Sequence, residues 1–413
     1  MTVHTRRSEC RICDHALPAP FLSLGPTPLA NSFLRRLEEA AAEPSFPLDV
    51  ALCGECGLVQ LLDVIDPEVL FRDYIYVSGT STTMSNHLEA YARDVIARLS
   101  LGPDDLVVEV ASNDGTLLRH FREAGVRTLG VEPARNIAAI AREGGIDTVE
   151  DFFDSGVGRR LRDTHGLARA VLANNVLAHV DDPRDFLRGA AALLAPEGMV
   201  VIEVPSLAEL VARLEYDTIY HEHLSYFSIT ALCRLCDMVG LRVVNVERVP
   251  VHGGSLRVYA TRSHEDTGHA AEVRQLAEEE VAAGLTSEDL FATLARDVQA
   301  HREALRTLLQ DLASRGATLA AYGAPAKGNT LLNYCALDSQ LLPFTVDRSP
   351  LKVGTWTPGM HLPVRAVADL DLVQPEYILI LAWNVAEEIM AQLPEHRRRG
   401  GRFILPIPHP QVV

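Results

Sequence analysis

Basic charge is in deficit in this 413-residue chain, where 38 Lys and Arg face 55 Asp and Glu for a net charge of −17. A surface that tracks phosphates needs a large basic patch, so nucleic acid is not an expected partner. A small anionic substrate needs only a few local cations and stays open. No apolar run approaches the ~18 residues of a membrane span, so no membrane partner is expected. The opening residues, MTVHTRRSECRIC, hold no apolar stretch of signal-peptide length. The seven Cys, an odd number and mostly in C-x-x-C pairs, suit a reducing compartment better than a disulfide framework. A cytoplasmic location is expected. Internal repeats at solenoid periods are absent. So is G-x-G-x-x-G, which disfavours NAD.

Turning to what is present, 47% hydrophobic and 23% charged residues are the proportions of a globular protein, and the length calls for two or three domains. The spacing divides the chain into residues 1–75, 76–265, a bridging helical stretch 266–315, and 316–413. The first segment carries Cys10-x-x-Cys13 and Cys53-x-x-Cys56. Each knuckle lets two thiolates face one tetrahedral ion, and two knuckles close a four-sulfur zinc site. A closed shell leaves no position for water, so the zinc would be structural. The alternative is a pair of unmetallated surface turns.

The central segment reads as a doubly wound α/β unit. Leu106 to Val110 is a buried parallel strand, followed by a turn through Asn113 and Gly115 and a helix start. Thr128 to Pro133 is the second strand, and Glu132 at its end is placed to accept both hydroxyls of a ribose. The turn from Glu109 to Gly115, with Glu132, resembles the S-adenosylmethionine (SAM) pocket of class I methyltransferases. A strand over Val149 to Phe153 would present Asp151 and Phe152 to an adenine. Another, from Ala170, ends in Asn174, Asn175 and His179 on the same rim. His179 there is a capping or packing residue as readily as a functional one.

Tyr220-His221-Glu222-His223-Leu224-Ser225-Tyr226 packs two imidazoles, a carboxylate and two phenols into seven residues. A His beside a carboxylate that orients it suits a general base, and a phenol can donate to a developing oxyanion. A zinc site or a polar His-rich loop is the plain alternative. Cys233-x-x-Cys236 lies in an apolar helical pattern and reads as core. The turn containing His252, Gly253 and Gly254 either closes over a substrate or is a hairpin corner. Amphipathic helices are expected between about 270 and 314. The final hundred residues restart with strand, turn and helix at Tyr322-Gly323-Ala-Pro-Ala-Lys327. This is a second Rossmann-like unit, with strands at 343–346, 377–383 and 402–406 and a helix over 386–396. Lys327 at the helix start either holds a phosphate or decorates a turn that binds nothing.

In this order the motifs resemble the three-domain, SAM-dependent C-methyltransferases that modify nucleoside-diphosphate 4-keto-deoxysugars in bacterial antibiotic pathways. The resemblance spans the chain. It covers the zinc cysteines, Tyr74-x-Tyr76-x-Ser78-Gly79, the SAM turn, Tyr220-x-Glu222-His223, Pro250-Val251-His252-Gly253-Gly254, Gly323-Ala-x-Ala-Lys327 and Ala382-Trp383-Asn384. It implies an α/β fold with a small zinc-binding domain, a class I methyltransferase domain and a second Rossmann-like domain. The implied catalytic set is His223 as base, Glu222 to orient or polarise, and Tyr220, Tyr76 and His179 around the keto sugar. His221 is a second imidazole within reach of the same loop. Implied SAM contacts are Glu109, Asn113, Gly115, Glu132, Asp151, Phe152, Asn174 and Asn175, and implied substrate contacts are His252, Tyr322 and Lys327. The implied partner is a dTDP-4-keto-deoxysugar, and a monomer is expected. An O- or N-methyltransferase on another small metabolite is the alternative.

Overall fold

The computed structural model describes residues 3–74, 82–251, 253–262 and 271–413. Near the amino terminus Leu22 and Leu24 are buried and Ser23 between them is exposed, the period of two that makes a half-buried strand. Short antiparallel strands follow from such patterns: β1 (His4–Arg6), β2 (Leu22–Thr27), β3 (Phe46–Leu52), β4 (Val59–Leu61) and β5 (Asp63–Ile65). The β1–β5 pair stands apart, while β2, β3 and β4 run side by side.

The central sheet comprises β6 (Leu106–Val110), β7 (Arg127–Val131), β8 (Thr148–Val149), β9 (Ala168–Asn174) and β10 (Leu194–Pro205). The strand β11 (Ser225–Tyr226) leaves this domain to pair with β4 of the first, before β12 (Leu241–Val249) and β13 (Ser255–Arg262) complete the central sheet. Its order is β12-β13-β10-β9-β6-β7-β8, parallel from β10 to β8 and antiparallel at the β12–β13 edge. All five residues of β6 are buried, as a parallel strand covered on both faces requires. Strand order reverses at β6, with β7 on one side and β9 on the other, and ligands of such sheets bind outside the carboxyl ends at that point.

The third sheet holds β14 (Leu319–Tyr322), β15 (Thr345–Asp347), β16 (Val364–Ala366), β17 (Tyr377–Ile380), β18 (Arg402–Leu405) and β19 (Gln411–Val412). It is ordered β16-β15-β14-β17-β18-β19 and is parallel but for β19. The Rossmann-like repetition anticipated from the sequence is therefore present. Two helices, Ala271–Ala282 and Glu288–Ser314, separate the second and third sheets. The longer one buries Phe291, Leu294, Val298, Leu305 and Leu309 along one stripe. They share a core with Leu22 and Leu24 of β2 and with Leu319 and Ala321 of β14, so this helix ties the first domain to the third. Truncating one of these buried side chains to Ala would cost about 2–5 kcal/mol. Among the described residues no helix is long and apolar enough to cross a membrane.

Three local expectations need correction. The strand over 149–153 stops at Val149, and Asp151 beyond it makes an ion pair with Arg160 at 2.7 Å. The strand begun at Tyr377 ends at Ile380 and gives way to a single turn, Trp383–Val385. The helix over 386–396 is two helices, Ala386–Gln392 and Pro394–Arg398, because Pro394 has no N–H to continue the ladder. Cys233 and Cys236 lie in the apolar core, as read.

Candidate active site

The four Sγ atoms of Cys10, Cys13, Cys53 and Cys56 all lie within 4.8 Å of one another, with Cys10–Cys56 and Cys13–Cys53 at 3.5 Å. Sulfurs about 2.3 Å from one tetrahedral zinc stand about 3.8 Å apart, so the set fits a four-thiolate site. Cys10 Sγ also accepts N–H bonds from Ile12 (3.4 Å) and Gln60 Nε2 (3.2 Å), the environment of a thiolate rather than a thiol. Gln60 lies opposite Ser225 in the β4–β11 pairing, so the knuckle supports the exit of the Tyr220–Tyr226 segment directly. From the same knuckle, the buried Arg11 donates to Asp181 Oδ1 at 3.1 Å in the central domain.

At the carboxyl ends of β6 and β7, Glu132 shapes the turn. Its Oε2 accepts from Asn113 N (2.9 Å) and its Oε1 from Ala134 N (2.8 Å). Ala111 and Asn113 have positive φ (55° and 50°), a cost that a folded chain tolerates mainly at functional sites, and Gly115 takes φ 74° freely. A Cβ on Gly115 would stand 2.8 Å from Ile146 Cγ1, so only glycine fits there. Glu109 is buried, which pushes its carboxyl well above the usual carboxylate range. Asn174 Nδ2 donates to Glu109 Oε1 at 3.2 Å. Glu109 Oε2, Asn174 Oδ1 and Asn175 Oδ1 are enclosed without a protein partner among the described residues. Unmatched polar atoms at a sheet's ligand-binding edge are the complement of a polar ligand, and SAM carries an ammonium and an amino group that fit them. Asp151 is engaged with Arg160, and the Phe152 ring is covered by the Arg72 guanidinium at 4.6 Å.

The Tyr220–Tyr226 segment runs from a one-turn helix, Tyr216–Thr218, into β11. His223 is half-buried. Its Nδ1 meets the Thr218 carbonyl at 2.7 Å, which makes Nδ1 the donor nitrogen, and its Nε2 accepts from Tyr220 Oη at 2.8 Å. His179 stands perpendicular to this ring, with centroids 4.9 Å apart, and burial beside His223 keeps it neutral. It also meets the Phe71 ring, with centroids 5.5 Å apart.

Glu222 does not orient His223, contrary to the sequence expectation. It points into a buried enclosure, accepting from Asn31 Nδ2 (2.7 Å) and Tyr74 Oη (2.9 Å). Burial pushes its carboxyl up to about 7, with those two donors and Lys352 opposing the rise. His221 faces β3 of the first domain instead. Its Nε2 lies 3.2 and 3.1 Å from the carbonyls of Phe46 and Pro47, and burial lowers it to about 4. The reason is the turn at His221 and Glu222, closed by the His223 N–H on the Tyr220 carbonyl at 2.8 Å, which sends the two side chains to different walls.

Asn31, Tyr74, Lys352 and the Thr218 carbonyl were not anticipated. Tyr74 carries a sequence signal, since it shares the Tyr-x-Tyr pattern with Tyr76. Asn31 carries none, because it lies 191 positions from its partner. Lys352 donates to the Ala324 carbonyl at 2.8 Å and reaches the site from the third domain. Lys327 faces the Trp383 ring, 4.2 Å from its centre, with Asp217 and Glu215 supporting its charge. Tyr322 ends β14 with its hydroxyl enclosed and unpartnered among the described residues. Tyr76 and His252 lie outside the described residues. Gly253 (φ 100°) packs so closely on Glu215 that a Cβ there would stand 2.5 Å from Oε2.

Residues 10–71 match a family of zinc binding domains, residues 84–246 a methyltransferase domain, and residues 250–408 a C-methyltransferase C-terminal domain. The chain is 40% identical over 405 residues to the C-methyltransferase NovU of Streptomyces niveus, covering 98% of this chain and 96% of that protein. Among solved structures, the PH0226 protein from Pyrococcus horikoshii OT3 superposes with a TM-score of 0.37 at 13% identity, over 48% of this chain and 96% of that one. The magnesium protoporphyrin IX methyltransferase ChlM from Synechocystis PCC 6803 does so with a TM-score of 0.36 at 15% identity, over 46% and 91%. With its closed cysteine site, its SAM-dependent methyltransferase sheet and its second Rossmann-like domain, the chain belongs to the zinc-bearing, three-domain C-methyltransferases.

Proposed function

We propose that the protein methylates a carbon next to the 4-ketone of a dTDP-linked deoxysugar, through an enolate formed by His223, in a cytoplasmic pathway of antibiotic sugar biosynthesis. The observation that carries this reading is the bond between His223 Nδ1 and the Thr218 carbonyl, which makes Nε2, with Tyr220 Oη against it, the acceptor nitrogen of the ring. A carbon next to a ketone becomes a nucleophile only on losing its proton, and a neutral imidazole fixed in one tautomer is suited to take it. His179, neutral and perpendicular to that ring, adds bulk without adding a charge that would repel imidazolium.

Glu222 stands at the other side of the reacting carbonyl. Pushed up to about 7, its carboxyl is substantially protonated at neutral pH and can donate to the ketone oxygen as negative charge develops. Asn31 and Tyr74 hold that carboxyl in one orientation. SAM, when bound, supplies the electrophilic methyl group. Glu109, Asn174 and Asn175 provide acceptors for its ammonium or amino groups, the Asn113–Gly115 turn provides its backbone approach, and Glu132 the acceptor for its ribose. Lys352 offers a cation for the diphosphate from the third domain, with Tyr322 on the nucleotide side.

Replacing His223 with Ala tests the assignment. Turnover of a dTDP-4-keto sugar should disappear while SAM binding, measured by calorimetry, stays near normal. Equal turnover in the variant would remove His223 from the mechanism.

A further inference from the structure

Three consecutive residues precede the His223 loop, and the first two are held by different parts of the fold. Tyr216 is fully buried, and its hydroxyl meets His301 Nδ1 at 3.0 Å. His301 lies on the long bridging helix, and its other nitrogen meets the Pro406 carbonyl at 2.7 Å. Asp217 is also fully buried. Its Oδ2 accepts from the Trp383 indole N–H at 2.7 Å, and Trp383 sits in the turn that follows β17 of the third domain. Thr218 supplies the carbonyl on His223 Nδ1, and its own hydroxyl donates to the Glu215 carbonyl at 2.7 Å. Lys327, 4.2 Å from the Trp383 ring centre, packs on the face of the indole.

We infer that Trp383 and Asp217 are positioning residues for the reaction, through which the third domain fixes the tautomer and aim of the catalytic imidazole. This rests on the reading of His223 as the base. The chain of contact is short. The indole N–H anchors the Asp217 carboxylate, the carboxylate anchors the one-turn helix, and the next carbonyl in that helix holds Nδ1–H. A fully buried carboxylate that lost its donor would pull toward water or toward Lys327 and rotate the turn. The Thr218 carbonyl would then drift from Nδ1, and Nε2 would no longer be the obligatory proton acceptor. A His base can therefore work in this fold only with the third domain docked, which gives the Trp383 side chain a role although it touches no reacting atom.

The test combines nitrogen NMR with solvent exchange. Protein labelled with 15N-histidine, its His223 resonances assigned from a His223→Asn variant, reports which ring nitrogen carries the proton. Deuterium uptake from D2O at the carbon next to the ketone of a dTDP-4-keto-6-deoxysugar reports the base at work. The parent protein should show the Nδ1–H form. Trp383→Phe and Asp217→Ala should lose that bias and exchange about tenfold more slowly, with the Kd for SAM unchanged. Asp217→Asn keeps an acceptor for the indole and should retain both tautomer and rate. Parent-like His223 nitrogen shifts and exchange in Trp383→Phe would overturn the inference. If exchange persists in His223→Asn, the base assignment is what fails, and the nitrogen shifts still decide whether Trp383 controls the ring.

Discussion

Tyr74 Oη donates to Glu222 Oε2 at 2.9 Å, joining the end of the zinc-bearing domain to the centre of the Tyr220–Tyr226 segment. The bond stabilises the ionised carboxylate, so it lowers a value that burial has raised to about 7. If the protonated carboxyl is the working donor, activity is lost as pH rises through that value. Tyr74→Phe removes a hydrogen bond to the charged form, so the alkaline limb of kcat should move to higher pH and kcat should fall about tenfold. A pH profile of methyl transfer checks both, and an unmoved limb would detach Glu222 from the proton inventory.

The acid at the end of β7 can be tested apart from catalysis. Glu132 holds the backbone N–H groups of both Asn113 and Ala134, and each would be left unsatisfied without it. Glu132→Ala should weaken SAM binding by a factor of ten or more, since the turn that approaches the cofactor loses its anchor. Calorimetric titration with SAM gives the answer, and an unchanged Kd would place the cofactor elsewhere.

The zinc knuckle should matter to a site it does not touch. One zinc per chain is expected by elemental analysis. Its removal by chelation should destabilise the β4–β11 pairing through Gln60 and lower both Tm and turnover, structural zinc sites carrying several kcal/mol of folding free energy. Circular dichroism melts with and without chelator measure the first effect. Full turnover in zinc-free protein would show that the knuckle and the loop are independent.

Stability should fall as pH rises from about 4.5 to 7. Burial raises Glu215 from 4.5 to about 7, with Asp217 nearby adding to the rise, so the folded state binds that proton more tightly than the unfolded chain. The stabilisation is present below the unfolded value and lost through the folded one, at most about 3 kcal/mol for a shift of this size. Glu215→Gln should therefore stabilise the protein relative to the parent at pH 8 and have little effect at pH 5. Urea melts at the two pH values decide it, and equal effects at both would mean that Glu215 is ionised throughout.

What the sequence made legible was whatever is local and patterned. The cysteine spacing, the buried run of β6, the strand-end Glu132 and the restart at Leu319 each announce themselves within a few residues. Contacts between distant segments did not. Asn31 reaches Glu222 from the first domain, Lys352 reaches it from the third, and Trp383 meets Asp217 across 166 positions. His223 owes its orientation to a backbone carbonyl, which no side-chain motif records. The adjacent carboxylate suggested the wrong orienting group, because on an irregular loop the neighbour in sequence faces a different wall.

The most direct test of C-methylation is to incubate the protein with SAM and a dTDP-4-keto-6-deoxysugar in D2O and read the products by mass spectrometry and NMR. A new carbon-bound methyl beside the ketone is predicted, together with deuterium entering that carbon even when SAM is withheld. Neither signal with several keto sugars, although SAM binds, would contradict the keto-sugar reading and point to an oxygen or nitrogen acceptor instead.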